Sequence, residues 1–145
     1  MAGRGKLAVR ASFPSLPGVL SIFADTAVGV GAQDRFWEDR GPYTGEVSGA
    51  DLRQIGCSYV EVGHVERRRI FGEDSKVASR KLTAALRNGL TPIICVGEDQ
   101  QSSPEWAATE VIGQLAGLLR ELPSGDPASR PLFPSTPLRT DRLPD

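Results

Sequence analysis

Between residues 25 and 122 the apolar positions switch between two rhythms. Short apolar runs at 25–32 (DTAVGVGA), 58–63 (SYVEVG) and 91–97 (TPIICVG) have the length and content of strands. The segments between and after them carry helical signals. Ser48, with Asp51 three residues on, forms a capping pattern; Leu52 and Ile55 share a face, and Gly56 follows as a stop. Asp74 or Ser75 can open a second helix through Asn88, with Gly89 just past its end. Ser103, Pro104 and Glu105 read as a helix start, and Trp106, Val111, Ile112, Leu115, Leu118, Leu119 and Leu122 then follow helical spacing.

Strand and helix thus alternate three times, with residues 6–12 a further strand ahead of them. Such alternation predicts an α/β fold of parallel strands joined by right-handed helical crossovers. The pattern does not separate an open sheet from part of a barrel. Residues 123–145 have no period and hold six prolines, at 123, 127, 131, 134, 137 and 144. They read as a disordered tail, leaving 6–122 as the folded domain.

Composition changes this picture little. The 145 residues suit one domain, and 39% apolar with 24% charged residues is the balance of a globular protein. A formal net charge of −1 gives no basic surplus for nucleic acid or an anionic membrane. Arg4, Lys6 and Arg10 before the apolar stretch 13–23 bear a faint likeness to a secretion signal, which Pro14 and Pro17 interrupt. No apolar run approaches the roughly 20 residues of a membrane span. The two cysteines, Cys57 and Cys95, sit in apolar segments and read as free thiols of a cytoplasmic protein.

His64 is the only histidine and Asn88 the only asparagine, so a multi-histidine metal site is excluded. His64 follows a strand, where ligands bind in parallel α/β folds, and an imidazole there can donate a hydrogen bond or shuttle a proton. Spacing alone leaves a structural histidine as the commoner reading. Arg67, Arg68 and Arg69 read as a solvated or salt-bridged face, with Glu66 and Glu73 as ready partners. The long loop 34–47 holds Phe36, Trp37 and Tyr43, three of nine aromatics. On composition it is as much a contact surface as a self-packed turn.

The segments VGAQD (30–34), WEDRGPYTGEVS (37–48), GHVERRRIFGE (63–73) and NGLTPIICVGE (88–98), in this order, resemble triose-phosphate isomerases. Residues 11–17 (ASFPSLP) also look like the end of the family's second strand and the turn after it. The likeness covers roughly residues 6–122 and implies a partial (β/α)8 barrel, strands two to five, truncated at both ends. It implies interconversion of dihydroxyacetone phosphate and glyceraldehyde 3-phosphate, in glycolysis and gluconeogenesis, without metal or organic cofactor. In that chemistry a neutral histidine polarises the carbonyl while a glutamate moves the proton.

His64 matches the histidine, and Glu66 a carboxylate close to the active centre. Thr44 matches a loop residue that reaches a partner subunit's active site. Glu46 and Arg67 match a pair that meets near the dimer interface, which implies a homodimer. Cys95 matches a buried strand cysteine. The family's Asn-x-Lys and Ala-Tyr-Glu-Pro-Val-Trp stretches, with the substrate lysine and the glutamate base, do not occur in these 145 residues. Val65 stands where serine is usual. The expectation is a triose-phosphate isomerase-type fragment, inactive alone. The alternatives are an isomerase of another short sugar phosphate and a non-catalytic remnant that binds a full-length isomerase subunit through a projecting loop, residues 37–47.

Overall fold

The computed structural model describes residues 7–98, 101–120 and 122. Four strands, β1 (Ala8–Ala11), β2 (Gly29–Ala32), β3 (Tyr59–Val62) and β4 (Thr91–Ile94), form one parallel sheet in chain order. Helix α1 (Leu16–Phe23) joins β1 to β2, and α2 (Gly49–Ile55) joins β2 to β3. Helices α3 (Val65–Phe71) and α4 (Ser75–Arg87) lie between β3 and β4, and α5 (Pro104–Leu119) follows β4. Each new strand adds to the same edge, without the reversal of order that marks a doubly wound sheet. That progression is the winding of a barrel wall.

The predicted caps all form. Ser48 Oγ accepts the Asp51 N–H, Asp74 Oδ1 accepts the Val77 N–H, and Ser103 Oγ accepts the Trp106 N–H, at 3.0, 2.8 and 3.3 Å. Each satisfies a helix N-terminal donor that has no partner within the helix. Gly56 and Gly72 end α2 and α3 in the left-handed region, at φ 110° and 68°.

Two helices stand where the sequence announces none. The stretch 13–23 is a one-turn 3₁₀ segment (Phe13–Ser15) running into α1. Pro14 and Pro17 occupy first-turn positions, where a missing N–H costs no hydrogen bond. The arginine-rich run after His64 is the short α3. The strands are shorter than the apolar runs that announce them; 6–12 yields Ala8–Ala11, and 91–97 yields Thr91–Ile94.

The core lies between the sheet's outer face and the helices. Val30, Ala32 and Val60 pack with Leu16, Leu52 and Leu90 in one cluster; Val62 packs with Ala78, Leu82 and Leu118 in another. Strand side chains alternate between faces. Gly29, Gly31, Tyr59 and Glu61 therefore belong to the opposite, concave face. Among the described residues no helix is long and apolar enough to cross a membrane. The predicted tail, 123–145, lies outside the described residues.

Candidate active site

The carboxyl end of β3 turns into α3 through Gly63 and His64. Gly63 has φ 77°, and a Cβ there would stand 2.9 Å from Arg68 Nη2 and 3.2 Å from the Cys95 carbonyl oxygen. Arg68 Nε donates to the Gly63 carbonyl at 2.9 Å and so braces the turn. Only glycine fits this backbone and this crowding.

His64 is the N-cap of α3. Its Nδ1 accepts the Glu66 backbone N–H at 3.3 Å, a role usually filled by a side-chain oxygen. A nitrogen that accepts carries no proton, so in this arrangement the ring hydrogen open to the cavity is the one on Nε2. The Glu66 carboxylate lies 3.7 Å from the same Nδ1, beyond hydrogen-bond distance, and its side chain is 71% exposed. The geometry therefore makes the peptide N–H, not the carboxylate, the partner that sets the tautomer.

Arg67 is half-buried. Its Nη2 lies 2.7 Å from Glu73 Oε1 and 3.2 Å from Asp34 Oδ2, and its guanidinium sits 4.2 Å from the centre of the Phe71 ring. Lys81 Nζ completes the cluster, 2.6 Å from Asp34 Oδ1 and 2.5 Å from Glu73 Oε1. Sequence reasoning named Glu66 and Glu73 as arginine partners; Glu73 is one, Glu66 pairs with no arginine among the described residues, and Asp34 and Lys81 were missed. It also missed Arg10 on β1, whose Nε lies 2.8 Å from Glu61 Oε1 on β3. The available signal was a charged residue inside each strand, in AVRA and YVEV.

His64, Glu66, Arg67, Arg10, Gln33 and Glu61 line a concave cavity of about 550 Å³. Three of the five expected site residues, His64, Glu66 and Arg67, thus come together there. Thr44 and Glu46 do not; both are exposed on the 33–48 loop, where Glu46 lines a smaller hollow of about 220 Å³ with Tyr43 and Asp51. Within this chain the described partners of Arg67 are Glu73 and Asp34, not Glu46.

The loop is packed in part and open in part. Phe36 pairs with Ser48 and stacks on Trp37 and Tyr43, with ring centres 4.1 and 4.7 Å away. Arg80 lies over the Trp37 ring, and Arg87 grips Asp39. Residues 40–46 remain exposed.

Cys57 and Cys95 are both free. Cys95 follows the last residue of β4 and is only half-buried; its N–H still donates to the Val62 carbonyl at 2.9 Å. Burial pushes its thiol up to about 11, and the nearby Glu61 carboxylate acts in the same direction. Among the described residues no group of three or more His, Cys, Asp or Glu side chains converges to hold a metal ion.

A family model described as triosephosphate isomerase matches residues 2–128. An L-erythrulose-1-phosphate isomerase of Pectobacterium atrosepticum is 51% identical over 114 residues, covering 79% of this chain and 44% of the relative. A triosephosphate isomerase of Moorella thermoacetica is 45% identical over 111 residues, covering 77% and 45%. The crystal structure of triosephosphate isomerase from Bartonella henselae superposes with a TM-score of 0.74 at 31% identity, covering 83% of this chain and 50% of that one. The chain spans about half the length of the relatives it matches. Its four parallel strands are part of a (β/α)8 barrel wall, and the chain belongs to the triosephosphate isomerase family.

Proposed function

We propose that this chain carries the electrophilic half of a ketose–aldose isomerase site for short sugar phosphates of central carbon metabolism, and that the 145 residues alone do not turn over substrate. The observation that carries this is the bond at the His64 ring: Nδ1 accepts the Glu66 N–H at 3.3 Å, which leaves Nε2 to carry the ring's donor hydrogen. A neutral imidazole donor at a carbonyl oxygen stabilises the enediolate formed when the adjacent carbon loses its proton. The proton must go to a base. None of the 145 residues matches the family's glutamate base or substrate lysine. General-base help is worth roughly 10²–10⁴ in rate, and positioning roughly 7–11 kcal/mol, so His64 alone supplies a small part of the barrier reduction.

The test combines binding and turnover. Dihydroxyacetone phosphate should shift the His64 ring ¹⁵N resonances while a coupled assay reads no isomerisation. An unmoved His64 ring would overturn the site reading. Turnover at even a thousandth of an ordinary isomerase rate, abolished by His64→Gln, would overturn the inactivity.

A second substrate reading has its own support. The 51%-identical relative is named for L-erythrulose 1-phosphate, and Val65 replaces the serine usual after the histidine. A four-carbon ketose phosphate is therefore the alternative substrate to the triose.

Association is proposed through residues 40–46. Their exposure, with Thr44 at the tip, suits insertion into a second subunit of this chain or into a full-length isomerase. Binding of a complete isomerase subunit that Thr44→Arg abolishes would support this; equal binding by both versions would exclude the loop as the contact. The free thiols suit a reducing compartment such as the cytoplasm.

A further inference from the structure

Arg10 and Glu61 meet across a strand that belongs to neither. The sheet order is β1-β2-β3-β4, so β2 runs between them. The residue of β2 opposite Arg10 is Gly31, and Gly29 is the other β2 residue on that face. No β2 side chain stands in the way, and Arg10 reaches over the backbone to place Nε 2.8 Å from Glu61 Oε1. A Cβ at Gly31 would lie 2.6 Å from the Tyr59 carbonyl oxygen, so the bare strand is also a packing requirement.

The two partners differ in exposure. The Glu61 side chain is 10% exposed and that of Arg10 is 43% exposed. Branched apolar residues dominate barrel interiors, and an apolar pair of similar volume is often as stable as an enclosed ion pair, or more so. The charges therefore suit a polar ligand better than they suit the wall.

We propose that the Arg10–Glu61 pair is a specificity device that reads a substrate hydroxyl, selecting a four-carbon ketose 1-phosphate over dihydroxyacetone phosphate. This rests on the reading of the cavity as a sugar-phosphate site. With Nε turned to Glu61, the terminal guanidinium nitrogens remain as donors, and the carboxylate is an adjacent acceptor. A hydroxyl both donates and accepts, so it satisfies both members of the pair. The pair is electrically balanced, and the cavity lining holds Asp34, Glu61 and Glu66 against Arg10 and Arg67. Three carboxylates against two arginines do not collect anions, so the pair suits an uncharged group and leaves the phosphate to other contacts. A triose with one hydroxyl fewer would leave the largely buried Glu61 carboxylate one hydrogen-bond partner short, a loss by which a polar site discriminates.

The experiment titrates the full chain with a four-carbon ketose 1-phosphate and with dihydroxyacetone phosphate, reading Kd from NMR shifts. The wild type should bind the four-carbon ligand about tenfold more tightly, the scale of one hydrogen bond to a charged group. Arg10→Met should bring the ratio to about one, and Arg10→Lys, which keeps charge without the fork, should do the same. His64→Gln should weaken both ligands. The amide spectrum of each variant reports whether the fold is kept, and Glu61→Gln repeats the test from the other partner. A wild-type ratio near one, or a ratio that survives in a folded Arg10→Met, overturns the proposal and leaves the sugar-phosphate reading standing. If neither ligand moves the wild-type spectrum, the sugar-phosphate reading fails and this proposal with it.

Discussion

Lys81 Nζ lies 2.5 Å from Glu73 Oε1, with the two side chains 3% and 8% exposed. The pair is not isolated. Arg67 shares the same Glu73 oxygen, and Asp34 bridges Lys81 and Arg67 through its two oxygens. Two cations and two carboxylates close on one another behind the His64 turn. They connect the chain just past β2, the end of α3 and the middle of α4. The cluster therefore fixes how α3 leaves β3, and α3 presents the N–H that sets the His64 tautomer.

Removing one member leaves a charge enclosed without compensation. Lys81→Met leaves Asp34 and Glu73 sharing a single arginine. The expected loss is about 3–5 kcal/mol of unfolding free energy, measured by denaturant titration. Adding Glu73→Gln to Lys81→Met should recover part of that loss. A loss under about 1 kcal/mol for the single variant would mean that water already solvates the cluster.

Cys95 gives a pH-dependent signal. Its thiol is raised from an ordinary value of 9.0 to about 11, chiefly by burial. The folded state thus holds the proton more tightly than the unfolded chain. The stability associated with this group is complete below pH 9.0 and falls as pH rises from there towards about 11. At pH 8 the thiolate fraction should be about a hundredfold smaller than in the urea-unfolded chain. Iodoacetamide alkylation, followed by peptide mass spectrometry to separate Cys95 from Cys57, checks this. Equal rates in folded and unfolded chains would place Cys95 in open solvent.

Asp39 acts at the other end of the pH scale. Its hydrogen bond from Arg87 holds its carboxyl below the ordinary value of 3.8; burial, the next-largest influence, pushes the other way, and Asn88 adds a smaller lowering. A depressed carboxylate contributes stability above its unfolded value, and that stability is lost as pH falls through the lower folded value. The pair is partly open, 48% and 32% exposed, so the gain is at most about 1 kcal/mol. Asp39→Asn should flatten the acid limb of stability below about pH 4 in denaturant titrations, with little change in slope near neutrality. An acid limb identical to wild type would mean that the Arg87 contact is absent in solution.

What the sequence reveals is what its neighbours decide. The caps at Ser48, Asp74 and Ser103 are legible because each bond spans three residues. His64 is legible because the motif around it is contiguous. Helix α1 is obscured by Pro14, Pro17 and Gly18, residues that speak for a turn until the helix start is fixed by packing of Leu16 into the core. The ion pairs of the site are hidden for another reason. Lys81 and Asp34 are 47 residues apart, and no local period announces their meeting. Lys81 occupies a charged position in a helix whose neighbours Arg80 and Lys76 face outward, yet it is 2% exposed. Arg10 and Glu61 likewise meet only because the sheet curls and β2 offers glycine between them.

The same long-range logic governs the aromatic loop. Arg87, in the last turn of α4, makes two contacts of 2.9 Å to the oxygens of Asp39 and one of 3.0 Å to the Trp37 carbonyl. Asn88 adds a bond of 2.7 Å to Asp39, and Arg80 pairs with Glu38 at 3.1 Å while covering the Trp37 ring. All of these holds fall on residues 37–39, and none on 40–46. Arg87→Ala should therefore release the first part of the loop and leave its tip as exposed as before. Trp37 emission should shift to the red and its quenching by iodide should increase as its ring loses cover. The amide of Phe36, bonded to the Val47 carbonyl at 2.8 Å, should stay protected, because that bond closes the base of the loop independently of α4. If the Phe36 amide loses its protection in Arg87→Ala, the base and the α4 contacts form one cooperative unit. Unchanged Trp37 emission and quenching would show that the aromatic stack alone holds the loop.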